Sequence, residues 1–249
     1  MLISIITATY NSEDWVLRTY ESIKNQTYTN WEWLVTDDFS TDNTLDVLNK
    51  LVESDHRIKV FCNEKNSGAA VSRNNSIKHA AGDFLAFIDS DDLWLPSKLE
   101  KQLIFMGDDI AFSFTSYELI DATGNRLNKS VDSTQVGSFS YQDMLRKKAT
   151  LGCSTVMLRT KTFSDLSMPL IRTGQDYALW LKLLKTGENA HILNDILTQY
   201  RILPDSISRN KIKKSKRQWQ IYRDIEHLGF IESCINFCFY AYRAVFRKS

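Results

Sequence analysis

Three carboxylates, Asp89, Asp91 and Asp92, follow directly on the apolar run Phe84-Leu85-Ala86-Phe87-Ile88. A short apolar run of this kind reads as a buried strand. Like charges that close repel and raise one another's pKa, so packing alone gives no reason to cluster them there. A hard divalent cation relieves the repulsion, and oxygen donors of this kind suit magnesium or manganese. Ligands of open α/β sheets bind beyond the carboxyl ends of the strands, where this cluster falls. The first expectation is therefore a metal-dependent site for a phosphorylated ligand.

Two further acidic positions share that setting. Asp37-Asp38 ends the apolar stretch Trp31–Thr36 and is followed by Phe39-Ser40-Thr41-Asp42. Ser40 or Thr41 can cap a helix there, and acids near a helix N-terminus interact well with its dipole. Asp42 can serve the cap while Asp38 serves a ligand. Gln175-Asp176 opens the amphipathic stretch Asp176–Lys185, where the dipole by itself would account for the acid. Tyr10 stands at the exit of an N-terminal apolar stretch and could stack on a base, or be an ordinary half-buried aromatic. Neither GxGxxG nor GxxxxGK[ST] follows that stretch, so a cation and side chains would have to carry phosphate charge.

The elements that must position these residues alternate in type. Strands are expected at Leu2–Thr7, Trp31–Thr36, Ile58–Cys62 and Phe84–Ile88, and helices at Ser12 to Lys24, Ser40–Leu51 and Gly68 to Ala80. Repeated βα units with apolar strands imply a mainly parallel sheet covered by helices on both faces. Beyond residue 105 the pattern loosens. Strands are expected at Ile110–Phe114, Ser116–Ile120, Ser154–Arg159, His191–Leu193 and Ile196–Ile202, with a hairpin turn at Ala122-Thr123-Gly124-Asn125 and a small mixed second sheet. Residues 1–105 and 106–208 read as two halves of one domain, and 209–249 as a helical extension.

Composition narrows the class. At 249 residues, 43% hydrophobic and 24% charged, the chain is an ordinary globular one, and a net charge of +1 gives no field for nucleic acid. Cys62, Cys153, Cys234 and Cys238 form no CxxC and fit a reducing compartment. No signal peptide or spanning segment is expected, which points to the cytoplasm. The extension carries Arg209, Lys211, Lys213, Lys214, Lys216 and Arg217, then Trp219, Tyr222 and the aromatic-rich run Phe230–Phe246, closed by Arg243, Arg247 and Lys248. It reads as a solvated basic face, as a helix closing the core, or as an interfacial helix on the inner face of the membrane.

Together, Ile5-Ile6-Thr7-Ala8-Thr9-Tyr10-Asn11, Thr36-Asp37-Asp38-Phe39-Ser40-Thr41-Asp42-Asn43-Thr44, Asn66-Ser67-Gly68 with Ser72-Arg73-Asn74, and Phe87-Ile88-Asp89-Ser90-Asp91-Asp92 resemble family 2 glycosyltransferases of the GT-A fold. The resemblance spans roughly residues 1–205 and is strongest through residue 105. It implies that Thr7, Thr9, Tyr10, Asp38, Arg73, Asp89 and Ser90 surround the nucleotide, with Tyr10 on the base and Asp38 accepting the imide N–H of uracil or thymine. It implies that Asp89 and Asp91 form the DxD pair for Mn2+ or Mg2+, with Asp92 supporting them. Asp176 resembles the catalytic base, although Gln175 stands where an acid is commoner. Tyr200, Arg201 and Ser206 resemble the closing segment, with Arg201 facing the diphosphate or lying on the surface. The implied reaction is inverting transfer from a nucleotide-diphosphate sugar, UDP-linked first, to a glycan hydroxyl. The acceptor expected is a lipid-diphosphate-linked oligosaccharide of surface polysaccharide.

Rival readings fit less well. A haloacid-dehalogenase-type phosphohydrolase needs Thr or Val two residues after its second Asp, where Leu93 stands. An EF-hand needs Gly where Trp94 stands and a helix before the loop. Sugar-phosphate nucleotidyltransferases need an N-terminal Gly-rich loop. A non-catalytic sugar-nucleotide- or glycan-binding module of the same fold is the remaining alternative.

Overall fold

The computed structural model describes residues 1–203 and 211–246. Ser206, Arg209, Arg247 and Lys248 lie outside the described residues. The chain runs β1 (Ile3–Thr9), α1 (Val16–Lys24), β2 (Trp31–Asp37), α2 (Thr44–Ser54), β3 (Ile58–Cys62), α3 (Ala69–Lys78), β4 (Phe84–Phe87), β5 (Leu93–Trp94) and α4 (Lys98–Met106). There follow β6 (Phe112–Ile120), β7 (Arg126–Val131), β8 (Ser138–Phe139), α5 (Tyr141–Leu145), β9 (Met157–Arg159), α6 (Gln175–Leu184), β10 (Ala190–Arg201), α7 (Lys211–Gln220) and α8 (Phe230–Phe246).

Among the described residues one sheet runs in the order β3-β2-β1-β4-β9-β6-β10-β5, with β7 on β6 and β8 on β10. β3, β2, β1 and β4 are mutually parallel, in keeping with their largely apolar strands joined by helical crossovers. β9 pairs antiparallel with both β4 and β6, so the mixed portion is continuous with the parallel one across residue 105. The chain order reverses between β1 and β4, a topological switch point, and such points open a crevice beyond the strand ends.

Several elements differ from their sequence expectations. Ile110–Phe114 and Ser116–Ile120 merge into β6, and the two short strands near residues 191–202 merge into β10, which bulges near Ile196 against β6. Residues 153–155 form a 3-10 turn before β9 rather than its first residues. The first helix begins at Val16 because Ser12–Trp15 makes a turn.

Two cores sandwich the sheet. On one face α1, α2 and α4 cover Ile3, Ile5, Trp33 and Phe84. On the other, Trp180 of α6 meets Phe87 and Phe112 edge-on at 5.4 and 5.5 Å. Edge contacts of this kind add about 0.5–1.5 kcal/mol each beyond burial.

The extension also joins the core. α7 runs into a π turn at Ile221–Ile225, where Ile221 and Tyr222 are buried and the Tyr222 hydroxyl donates to the Leu145 carbonyl. Glu226 accepts from Tyr141 and pairs with Lys185 at 2.7 Å. Inward of α8 a packed seam of Phe237 against Trp219 forms, while Phe230, Ile231, Ile235, Phe239 and Tyr242 stay exposed.

Lys98, the first residue of α4, is fully buried, and its ammonium, 3.8 Å from the Trp94 ring centroid, has no hydrogen-bond partner among the described residues. Burial lowers its pKa well below the usual 10.5. The unfolded chain therefore binds this proton more readily, which costs stability at neutral pH, and the cost fades as pH rises toward 10.5. Lys98→Met should raise Tm at pH 7 by roughly 2–6 °C, with the gain shrinking toward pH 10.5, read by differential scanning calorimetry.

Candidate active site

The crevice at the switch point gathers residues from β1, β2, β4 and the start of α6. A cleft of about 700 Å³ is lined by Tyr10, Asp38, Asp89, Asp91, Tyr200 and Arg217, among others. A second cavity of about 440 Å³ adjoins it, with Asp89, Asp176 and Tyr200 in its walls.

Asp38 is placed by its own N–H, which donates to the Thr9 carbonyl at 2.8 Å. Its carboxylate accepts from Asn63 Nδ2 (2.8 Å) and from the Ser67 and Gly68 N–H groups (2.7 Å each), so it orders the turn ahead of α3. Oδ2 takes only one of these bonds, which leaves acceptor capacity at the cleft. Tyr10 is 47% exposed on the opposite lip.

The three acids after β4 occupy distinct environments. Asp89 faces the cleft, and its Oδ1 pairs with the buried guanidinium of Arg73. Burial and the neighbouring Asp89 push the Asp91 carboxyl up to about 6. Asp92 points inward and is fully buried, and burial together with Asp91 raises its pKa well above the carboxylate range. Ser154 Oγ accepts the Asp89 N–H at 3.0 Å and donates to Asp92 Oδ2, tying both acids to the 3-10 turn before β9.

Two hard oxygen donors beside unfilled space fit Mg2+ or Mn2+, which commonly use one or two carboxylates and complete their shells with substrate phosphates and water. Burial first, and then the charge of Asp89, raise the Asp91 carboxyl, and a bound cation would offset both. Among the described residues no cluster of three ligating side chains is present, in keeping with Asp92 turning away.

Asp176 sits in the first turn of α6, after Gly174 in a left-handed conformation (φ 78°). Burial opposes the charge on Arg73, but Cys153, Asp89 and Asp176 around it hold its pKa above the ordinary guanidinium value. Arg73 thus stands between the proposed metal ligand and the proposed base. Gln175 is buried with its Oε1 unpartnered among the described residues.

Thr7, Thr9 and Ser90 are buried, and the Thr9 hydroxyl has no partner among the described residues. Thr7 is fully buried, its hydroxyl donating to the Ile88 carbonyl and accepting from Trp33 Nε1. Ser90 bonds Ser12 across to the loop before α1. Thr9 is buried at 2% exposure. Arg201 is not the surface arginine that the sequence allowed. It is 1% exposed, donating from Nε to the Asp91 carbonyl (2.8 Å) and from Nη1 to the Asp121 and Ala122 carbonyls (3.1 and 3.0 Å). Its backbone N–H donates to Asp92 Oδ1 at 2.9 Å, so it clamps the acidic loop, while its Nη2 has no partner among the described residues. Residues that sequence reasoning did not place in the site include Ser154 and, from the extension, Lys214 and Arg217. The basic run was visible, but nothing local says where it folds back.

The family model described as Glycosyl transferase family 2 matches residues 4–166. The chain belongs to glycosyltransferase family 2. The putative teichuronic acid biosynthesis glycosyltransferase TuaG of Bacillus subtilis (strain 168) is 44% identical over 248 residues, 99% of this chain and 97% of that protein. The Escherichia coli UDP-Glc:alpha-D-GlcNAc-diphosphoundecaprenol beta-1,3-glucosyltransferase WfgD is 39% identical over 225 residues, 90% and 86% of the two chains. Among solved structures, S. aureus TarS 1-349 in complex with UDP-GlcNAc aligns with TM-score 0.74 at 20% identity, covering 99% of this chain and 73% of that one. The mannosyltransferase PcManGT of Pyrobaculum calidifontis, in complex with GDP-Man and Mn2+, aligns with TM-score 0.73 at 16% identity, covering 98% and 70%. At those identities the two structures establish the GT-A fold, and the family 2 enzyme class rests on the sequence matches.

Arg201→Met strands the Asp91, Asp121 and Ala122 carbonyls. It should lower Tm by roughly 5–10 °C, because these partly buried acceptors, left without the guanidinium, cost up to about 1–3 kcal/mol each. A selective rise in donor KM with unchanged Tm would instead indicate a diphosphate contact.

Proposed function

We propose that this family 2 enzyme transfers a sugar, with inversion, from a UDP-sugar to a hydroxyl of a lipid-diphosphate-linked glycan. The observation that carries this reading is the shared wall between the two cavities: Asp89 lines both, Asp38 and Tyr10 lie on one side, and Asp176 on the other. A nucleotide entering the first cleft would put its base between Tyr10 and Asp38 and its diphosphate at Asp89 and Asp91. An acceptor in the second cavity would bring its hydroxyl to Asp176. The relatives' named roles in teichuronic acid synthesis and on a GlcNAc-diphosphoundecaprenol acceptor support the substrate class.

Asp89 and Asp91 would hold the divalent ion, which when bound supplies Lewis-acid stabilisation of the departing diphosphate. Arg73 keeps Asp89 oriented toward the cleft. Asp176 takes the acceptor proton as that oxygen attacks the anomeric carbon from the face opposite the leaving group, and a single displacement of this kind inverts the centre. A non-catalytic binding module of the same fold would release no nucleotide from the donor.

No helix among the described residues is long and apolar enough to cross a membrane. The exposed residues Ile231, Ile235, Phe239 and Tyr242 of α8 form an apolar surface on a helix whose opposite side packs inward, and basic α7 precedes it. This supports peripheral contact with an anionic membrane, where a lipid-linked acceptor resides.

Two measurements test these readings. Asp176→Asn should lower kcat by about 10²–10⁴-fold with donor KM within a few-fold of wild type, in a nucleotide-release assay with Mn2+ or Mg2+. Near-full activity would remove Asp176 as the base. The double variant Ile231→Glu, Ile235→Glu should stay folded, since both side chains are exposed, and lose at least about tenfold in binding to anionic vesicles by flotation.

A further inference from the structure

The cavity that holds Asp176 also contains positive charge that a neutral sugar would not use. Lys214 and Arg217, three residues apart on α7 and therefore neighbours on its surface, line it opposite the acids. Among the described residues neither forms an ion pair with a carboxylate, Asp89 and Asp176 included. Lys214 is partly buried, and burial together with Arg217 lowers its pKa. Two cations placed side by side in this recess, neither paired with a carboxylate among the described residues, leave room for an external anion.

Arg217 is held to the catalytic turn itself. Its Cδ passes over Gly174 so closely that a Cβ there would stand 2.8 Å away. Gly174 immediately precedes Gln175-Asp176, so one backbone turn sets both the guanidinium and the proposed base. Arg217 also lines the donor cleft, whereas Lys214 lines only the Asp176 cavity.

We propose that Lys214 and Arg217 form a diphosphate-binding subsite for the acceptor, separate from the donor diphosphate at Asp89 and Asp91. The proposal rests on the reading above that the acceptor is a sugar on a lipid diphosphate. A sugar with a hydroxyl at Asp176 and an anomeric diphosphate at Lys214 and Arg217 would bridge the two sides of this cavity. Lysine and arginine are the side chains that bind such phosphates, arginine by a bidentate fork. The site requires acceptors to carry an anion next to the sugar, which would exclude free and neutral glycosides.

The test compares one N-acetylglucosaminyl sugar on a short alkyl diphosphate with the same sugar on a neutral alkyl chain. The wild-type enzyme should prefer the diphosphate compound in kcat/KM. Lys214→Gln and Arg217→Gln should each cut that preference by about tenfold or more, given the strength of charge-assisted phosphate contacts, with Arg217→Lys restoring part of it. The change should appear in KM for the diphosphate acceptor. Equal losses on both acceptors, or a rise in donor KM alone for Lys214→Gln, would overturn the proposal, as would a wild type without preference. Calorimetric binding of the two compounds reads the same preference without catalysis. Retained binding preference with no transfer would therefore count against the functional reading while supporting the subsite, and absent preference would remove the subsite.

Discussion

Repulsion among the carboxylates after β4 is the constraint on which the rest of the site depends. Each acid is held by a different part of the chain. Arg73 of α3 pairs with Asp89, Arg201 of β10 binds the Asp91 carbonyl and Asp92, and Ser154 links Asp89 to Asp92. Burial raises the Asp92 carboxyl well above the carboxylate range, and burial with Asp89 beside it pushes Asp91 up to about 6. The result is two acids facing the cleft instead of three, a donor set that suits an octahedral ion with most positions left to phosphate and water. Two cationic side chains, Arg73 and Arg201, hold the loop from behind.

Those clamps also explain why the second half of the chain is needed. Ser154 and Arg201 lie far along the sequence from the acids they hold, and β9 inserts beside β4 to bring them close. The extension repeats the pattern. It covers α5 and α6 through Tyr222 and Glu226, and the same helix delivers Lys214 and Arg217 to the cavity. Closing the core and lining the site are thus one packing event, because α7 must cross Gly174 to reach its seat.

Much of this architecture is legible in local pattern. The strands from Ile3 to Phe87 announce themselves as apolar runs, and acids at their ends mark the crevice. The second half is less legible. β10 carries polar residues and a bulge, so its periodicity breaks and it reads as two strands. α4 opens with a buried lysine, against the usual meaning of charge. Arg201 looks like a ligand for anions, yet three carbonyls claim its guanidinium. Thr7 and Ser90 sit in the motifs but are buried, and neighbours in the loop before α1 and on β2 satisfy their hydroxyls.

The sequence by itself determined the family, the parallel half of the sheet and the identities of the acids, since these follow from short-range pattern and from side-chain chemistry. Which acid faces the cleft, which arginine is a clamp and where the basic extension returns were decided by the tertiary structure. The physical reason is that burial and partnership set a charged group's role, and both come from residues distant in sequence.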